Sequence, residues 1–243
     1  MKKTTIFILL TLLNLPLFSQ KPESTKATVS GSAGVTSNGI SLVPAFSLKK
    51  PAAIFDVYVK KNKFSFEPEM TFSMEDAKPW YFVFWLRYKL IESSKFNLGL
   101  AFHPGFLFAT EHFLTGGVNR EYVTTSRFFV GAISPSYSFT EWFSAGLYYQ
   151  YARGYNSDLK QGHFFGINCN FSDIKLGSSY FVKILPQVYY LNNDHLEGFY
   201  ACSTFTLAKR DFPLSISALM NQKLKSDIPS DDFLWNVTLT CSF

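Results

Sequence analysis

The feature that most constrains this chain is a period-two alternation of apolar and polar residues, sustained over long stretches and repeated along its length. From Lys63 to Met74 the even positions are Phe64, Phe66, Pro68, Met70, Phe72 and Met74, while Ser65, Glu67, Glu69, Thr71 and Ser73 fall between them. From Lys95 to Phe108 the apolar phase is Phe96, Leu98, Leu100, Phe102, Pro104, Phe106 and Phe108. From Phe233 to the end it is Phe233, Trp235, Val237, Leu239, Cys241 and Phe243. Side chains alternate across a strand, so each segment has one apolar and one polar face. Soluble sandwiches alternate too, but their strands average only about five or six residues. A strand that crosses a bilayer needs about 9 to 11 residues, and the lengths here fit that second case.

Twelve such segments can be laid out, near 39–48, 51–60, 63–74, 79–90, 95–109, 123–139, 142–153, 162–171, 175–191, 197–208, 212–224 and 232–243. Composition agrees: aromatic residues make up 18%, with 27 Phe and 13 Tyr, which suits strands and membrane interfaces. A mean hydropathy of +0.04 is too low for a bundle of membrane helices. Past residue 20 the most apolar run is Trp80 to Leu86, too short to cross a bilayer as a helix. From the middle of the chain on, short connections at 91–94, 140–141, 172–174 and 209–211 alternate with longer ones at 110–122, 154–161, 192–196 and 225–231. That is the habit of outer-membrane barrels, and an even strand count puts both termini in the periplasm. Five prolines, Pro44, Pro68, Pro104, Pro135 and Pro186, fall on the apolar phase inside these segments. Proline cannot donate to a ladder, so bulges are expected there, or strand ends nearer the rim than these spans.

The first 20 residues read as a secretory signal peptide: Lys2 and Lys3, then an apolar run from Thr4 to Leu13, then Pro16 and a small-residue cleavage region. Residues 21–38 are expected to be a lead-in or a plug, and 39–243 the barrel. The formal net charge of +5 includes those two lysines, and no basic stripe or zinc-finger spacing appears, so nucleic acid is excluded as a partner. Cys169, Cys202 and Cys241 form neither a disulfide framework nor a metal knuckle. No cofactor and no metal site is expected.

The whole pattern resembles bacterial outer-membrane β-barrel proteins over residues 39–243. The most specific part is the end, Trp235-Asn-Val-Thr-Leu-Thr-Cys-Ser-Phe243. The resemblance implies an all-β, transmembrane antiparallel β-barrel of about 12 strands in contact with outer-membrane lipid. It also implies that Trp235, Val237, Leu239 and Phe243 are read by the barrel-assembly machinery. It names a class with many functions, so function must come from the interior.

If the apolar phase faces lipid, the other phase lines a lumen. Charged candidates are then Asp56, Glu67, Glu69, Arg87, Lys89 and His103, and aromatic candidates are Tyr81, Trp85, Tyr148, Tyr189 and Tyr200. Hairpin arithmetic sets Asp56 opposite Glu67 and Glu67 opposite Arg87. Such a cluster is either a salt-bridged filling or a charged constriction that selects ions or small polar solutes. Glu67 and Glu69 share one strand, whereas glycosidase chemistry wants carboxyl groups on two sides of a bond. His112, His163 and His195 fall in or beside outer loops. The expectation is therefore a narrow passive channel or a structural surface barrel. The alternative is a barrel phospholipase, or a rim protease using Asp194 and His195.

Overall fold

The computed structural model describes residues 26–116 and 118–243. The signal peptide expected over 1–20 lies outside the described residues. Twelve strands follow in chain order: β1 (Thr28–Thr36), β2 (Ala52–Lys61), β3 (Phe64–Ser73), β4 (Pro79–Glu92), β5 (Phe96–Thr115), β6 (Val118–Ser138), β7 (Phe143–Tyr155), β8 (Gln161–Leu176), β9 (Tyr180–Asn193), β10 (Leu196–Lys209), β11 (Leu214–Ser226) and β12 (Phe233–Ser242). Each pairs antiparallel with its neighbours in the chain, and β1 pairs with β12, closing the barrel. The seam runs from Ser32 opposite Ser242 to Thr36 opposite Thr238. Gly31 and Phe243 extend it by exchanging backbone hydrogen bonds of 2.8 and 2.9 Å.

The apolar phase points outward. Phe55, Leu86, Leu100, Phe102, Ile133, Phe205 and Leu239 are all exposed. Soluble monomers rarely expose an apolar patch above a few hundred Å², and here apolar residues ring the whole barrel. A bilayer is the solvent in which that surface is stable. At the end that carries the chain termini, Phe139, Trp142, Phe143 and Phe171 form a stacked aromatic group, with Phe143 and Phe171 centroids 4.8 Å apart. Aromatic girdles of this kind suit the boundary between hydrocarbon and water.

Four expectations need correction. The first strand is Thr28–Thr36, inside the segment read as a lead-in or plug, and the span 39–48 is not a strand. Residues 37–51 instead form the longest connection, with a 3-10 turn at Pro44–Phe46. Ser30, Ser32, Gly34 and Thr36 make β1 weakly apolar, so its pattern is fainter than that of Ile40 to Leu48. Proline at the first helical position favours the turn over a strand.

Second, the prolines do not sit at bulges. Register along β2–β3 continues unchanged from Asp56↔Glu69 to Val59↔Phe66 across Pro68, which stays opposite Phe84 on its other side. Pro104 and Pro186 behave alike: a short gap toward one neighbour and intact pairing toward Phe129 and Ser203. In an antiparallel ladder a residue's N–H and C=O point to the same neighbouring strand, so a proline weakens pairing on one side only. The register shifts occur elsewhere, at Thr71/Phe72, Lys89/Ile91, Phe171/Ile174 and Phe199/Tyr200.

Third, the turn expected at 172–174 is one of those bulges. Asp173 takes a left-handed backbone (φ 59) within β8, and the chain reverses later, at Gly177 (φ 73). Asp tolerates that conformation, which makes a bulge look like a turn in sequence. Fourth, the loop expected over 110–122 is mostly strand. β5 and β6 are 20 and 21 residues long, about twice what a membrane crossing needs, so their hairpin projects past the rim.

Candidate lumen site

The polar phase lines the interior and divides into two walls. On β2–β5 it brings together Asp56, Glu67, Glu69 and Arg87 with Tyr81, Trp85 and His103. The register differs from the sequence arithmetic by two residues. Asp56 faces Glu69, Glu67 faces Trp85, and Arg87 faces Ser65. The β2–β3 register follows from a reversal at Asn62–Lys63, inside the Lys61↔Phe64 pair, with Asn62 in a left-handed backbone (φ 55).

The charges nevertheless meet on the diagonal. Arg87 Nε lies 2.7 Å from Glu67 Oε2, and Ser65 Oγ donates to Glu67 Oε1 at 2.6 Å. The Arg87 guanidinium also covers the Trp85 ring, 4.2 Å from its centroid. Ser32 Oγ donates to Asp56 Oδ2 at 2.9 Å, and the Tyr81 hydroxyl donates to Glu69. Two of the three carboxylates are thus held by hydroxyl donors and not by cations. Lys89, expected in the cluster, turns instead to Glu92 at the hairpin end. His103 is buried, and its ring packs 4.0 Å from Trp85.

The opposite wall, on β7–β11, is aromatic. Phe164, Tyr189 and Tyr200 form a stacked ladder, with centroids 4.9 and 5.1 Å apart and planes within 14°. Tyr148 meets Phe164 edge-on. The buried hydroxyls are satisfied: Asn221 Nδ2 donates to Tyr189 Oη at 2.8 Å, and Tyr200 Oη bonds Ser226 Oγ at 2.7 Å. Tyr148 donates to Gln150 Oε1 at 2.7 Å. Sequence reasoning named three of these rings and missed Phe164, although it shares the inward phase of β8.

The connection 37–51 enters the lumen. Leu42 and Val43 pack against the Phe164–Tyr189–Tyr200 cluster together with Leu191 and Ile228. Phe46 meets Phe128 at 5.5 Å, and its carbonyl accepts a hydrogen bond of 2.9 Å from Trp80 Nε1. Trp80 sits at the β3–β4 register shift, which turns it inward out of the lipid phase. Lys49–Asp231 and Lys50–Glu75 ion pairs tie the loop to its rim neighbours. Burying a Leu, Val or Phe side chain contributes about 1.5–3 kcal/mol, so these contacts outweigh the exposed ion pairs in holding the loop.

Toward the terminal end the lumen is hollow. Leu185 lies opposite Thr204 and on the inward phase of β9, yet it is 41% exposed. Ser217, Thr238 and Thr240 share that stretch of wall.

On the outer surface Trp235, Leu239 and Phe243 are exposed, and Val237 shares their face. Phe243 lies over Gly31, where a Cβ would come within 2.8 Å of its ring. At the rim, both carboxylate oxygens of Asp194 accept backbone N–H groups, from Lys160 and Gln161. It ties two loops together.

No family model matches the sequence, and no curated protein does. Solved structures do. The KdgM porin is 12% identical with a TM-score of 0.53, covering 88% of this chain and 99% of its own. The KdgM porin in complex with disordered oligogalacturonate is 11% identical with a TM-score of 0.52, covering 90% and 99%. The fold is that of a bacterial outer-membrane β-barrel. At such identity the likeness is one of fold, and what the barrel does rests on its own lumen.

Proposed function

We propose that this barrel is a narrow passive channel of the outer membrane that favours cations and small polar solutes. The observation that carries it is the hollow half of the lumen, where an inward leucine stays 41% exposed. A structural barrel closed by its own side chains would bury that residue. Above the hollow half, loop 37–51 narrows the path, and the β2–β5 wall sets three carboxylates against one guanidinium. A pore lined by acidic side chains attracts cations and repels anions. With both termini in the periplasm, the hollow half opens inward and the loop lies at the outer mouth.

Oligogalacturonate, found with the KdgM porin, is a polymer of carboxylates. The acid-rich wall here argues for solutes of the other sign or of none. Outer-membrane residence follows from the same reading, as does recognition of Trp235, Val237, Leu239 and Phe243 by the barrel-assembly machinery. Deleting Phe243 should then lower the yield of inserted barrel far more than deleting residues 21–26; equal yields would remove that role.

The channel reading is tested in planar bilayers. Purified barrel under a potassium chloride gradient should give ohmic steps with a reversal potential on the cation side. Asp56→Asn combined with Glu69→Gln should move that potential toward zero. A silent, fully folded barrel would refute conduction, and an anion-selective one would refute the role of the acidic wall.

A further inference from the structure

We propose that Arg127 and Arg153, on the bilayer-facing surface at the rim away from the termini, hold the phosphate of a phosphate-monoester lipid whose acyl chain lies over Gly131. The site goes beyond the channel reading and would exist in a barrel that passed no ions.

Phase places both arginines outside. On β6, Phe129 and Ile133 are exposed, whereas Phe128 and Val130 are buried. Arg127 is two residues before Phe129 and is exposed with it. On β7, Arg153 belongs to the exposed series Leu147, Tyr149, Tyr151 and Tyr155. Arg127 lies opposite Tyr155 and Arg153 opposite Phe129, so the two are diagonal neighbours across the strand pair. Such neighbours stand about 7–8 Å apart, within reach of one anion for side chains this long.

Height places them in the headgroup layer. Phe143, in the aromatic group at the terminal end, starts β7, and Arg153 follows ten residues later. At about 3.3 Å per residue and a tilt of about 40°, that is a rise of about 25 Å, the height of the apolar band of an outer-membrane barrel.

The protein does not neutralise either charge. Among the described residues no ion pair includes Arg127 or Arg153. Glu121, on the same face of β6, is taken by Lys78. Loop 156–160, which carries Asp158, folds over the lumen side of β7: the Gly154 N–H donates to the Lys160 carbonyl at 2.9 Å, and Leu159 lines the interior. Arg153 is left uncovered. Guanidinium forks match phosphate oxygens, and two of them suit the double charge of a monoester.

The surface below supplies a place for the chain. Gly131 lies opposite Phe102 on β5 and Tyr151 on β7, one row down from Arg153. A Cβ on it would meet nothing within 4 Å. Phe102 stacks on Phe129 with centroids 6.2 Å apart, while Tyr151 leans the other way onto His163 at 5.1 Å. The rings part over Gly131 and leave an apolar notch beneath two cations, which is the shape of a lipid and not of a free ion.

The test uses native mass spectrometry of the full barrel in dodecyl maltoside, titrated with dioleoyl phosphatidic acid or dioleoyl phosphatidylcholine. Phosphatidic acid should bind saturably and more tightly than phosphatidylcholine, whose chains are the same. Arg127→Gln or Arg153→Gln should each weaken phosphatidic acid by about tenfold, the worth of one charge-assisted hydrogen bond. Lys61→Gln, at the opposite rim, should leave it unchanged. Gly131→Leu, which fills the notch without touching a charge, should weaken it several-fold and carries the test if an arginine variant fails to insert. Equal binding of the two lipids, or unchanged binding after the arginine or Gly131 substitutions, would overturn the site. An equal loss in Lys61→Gln would reduce it to general attraction, and displacement by millimolar inorganic phosphate would replace the lipid with the free ion. None of these depends on conductance, so the channel and the lipid site fail separately.

Discussion

The two walls of the lumen are held by different forces. On β2–β5, charges and hydroxyls satisfy one another through directed bonds, as in Arg87–Glu67 and Ser32–Asp56. On β7–β11, three rings stack face to face and are covered by Leu42 and Val43 from loop 37–51. A charged wall can remain hydrated, because its groups lose little by facing water. A stacked wall gains stability only when something dry lies against it. The loop therefore lays Leu42 and Val43 on the aromatic side, while Phe46 reaches Trp80 of β4, and the carboxylates of the charged side are left to water and ions.

Substitutions on each wall can break this contrast. The largest effect is expected at the centre of the stack. Tyr189→Ala should cost about 3–5 kcal/mol, because it opens a cavity between Phe164 and Tyr200 and strands Asn221. Urea unfolding followed by gel mobility measures it, and a loss below about 1 kcal/mol would mean that the stack does not organise this wall. Next comes the lipid face. Leu100→Arg should cost roughly 2–4 kcal/mol, whereas Ala101→Ser beside it should change stability by under about 0.5 kcal/mol. Similar costs at both positions would invert the phase of β5.

The charged wall should respond less in stability and more in selectivity. Arg87 and Glu67 side chains are 38% and 22% exposed, so solvent screens the pair. Arg87→Ala should cost only about 1–2 kcal/mol, below the 3–5 kcal/mol of a dry pair. It should also push the reversal potential further toward cations, since Glu67 loses its partner. A loss as large as that at Tyr189 would show that this wall, too, is dry. The smallest effect belongs to the rim: Lys49→Ala breaks a half-exposed ion pair and should cost under about 0.5 kcal/mol by the same urea assay.

The same contrast explains what could be read from the sequence. Phase depends on single residues, so Asp56, Glu69, Arg87, Tyr148 and Tyr189 could be assigned to the interior from alternation alone. Pairing depends on relations between strands. The two-residue offset that sets Asp56 against Glu69 leaves every side chain on its own face, and so leaves no trace in the pattern. Trp80 broke its phase because a bulge turned it, next to Pro79, which pairs with Phe72 at the register shift. The lumen loop was misread because Ile40 to Leu48 is more apolar than the true first strand. Apolar residues that fill a barrel from within look, in sequence, like apolar residues that face lipid. The strand count survived because one misplaced strand replaced another with the same direction.

The division of labour between the walls is tested most directly by shortening the loop. Residues 41–47 replaced by a two-residue glycine-serine turn would remove Leu42, Val43 and Phe46 and leave the acidic wall intact. Single-channel recordings should then show conductance rising several-fold over the unaltered barrel, with cation selectivity retained. Unchanged conductance in a folded, shortened barrel would contradict the loop as the constriction, and a loss of cation selectivity would contradict the acidic wall as its source.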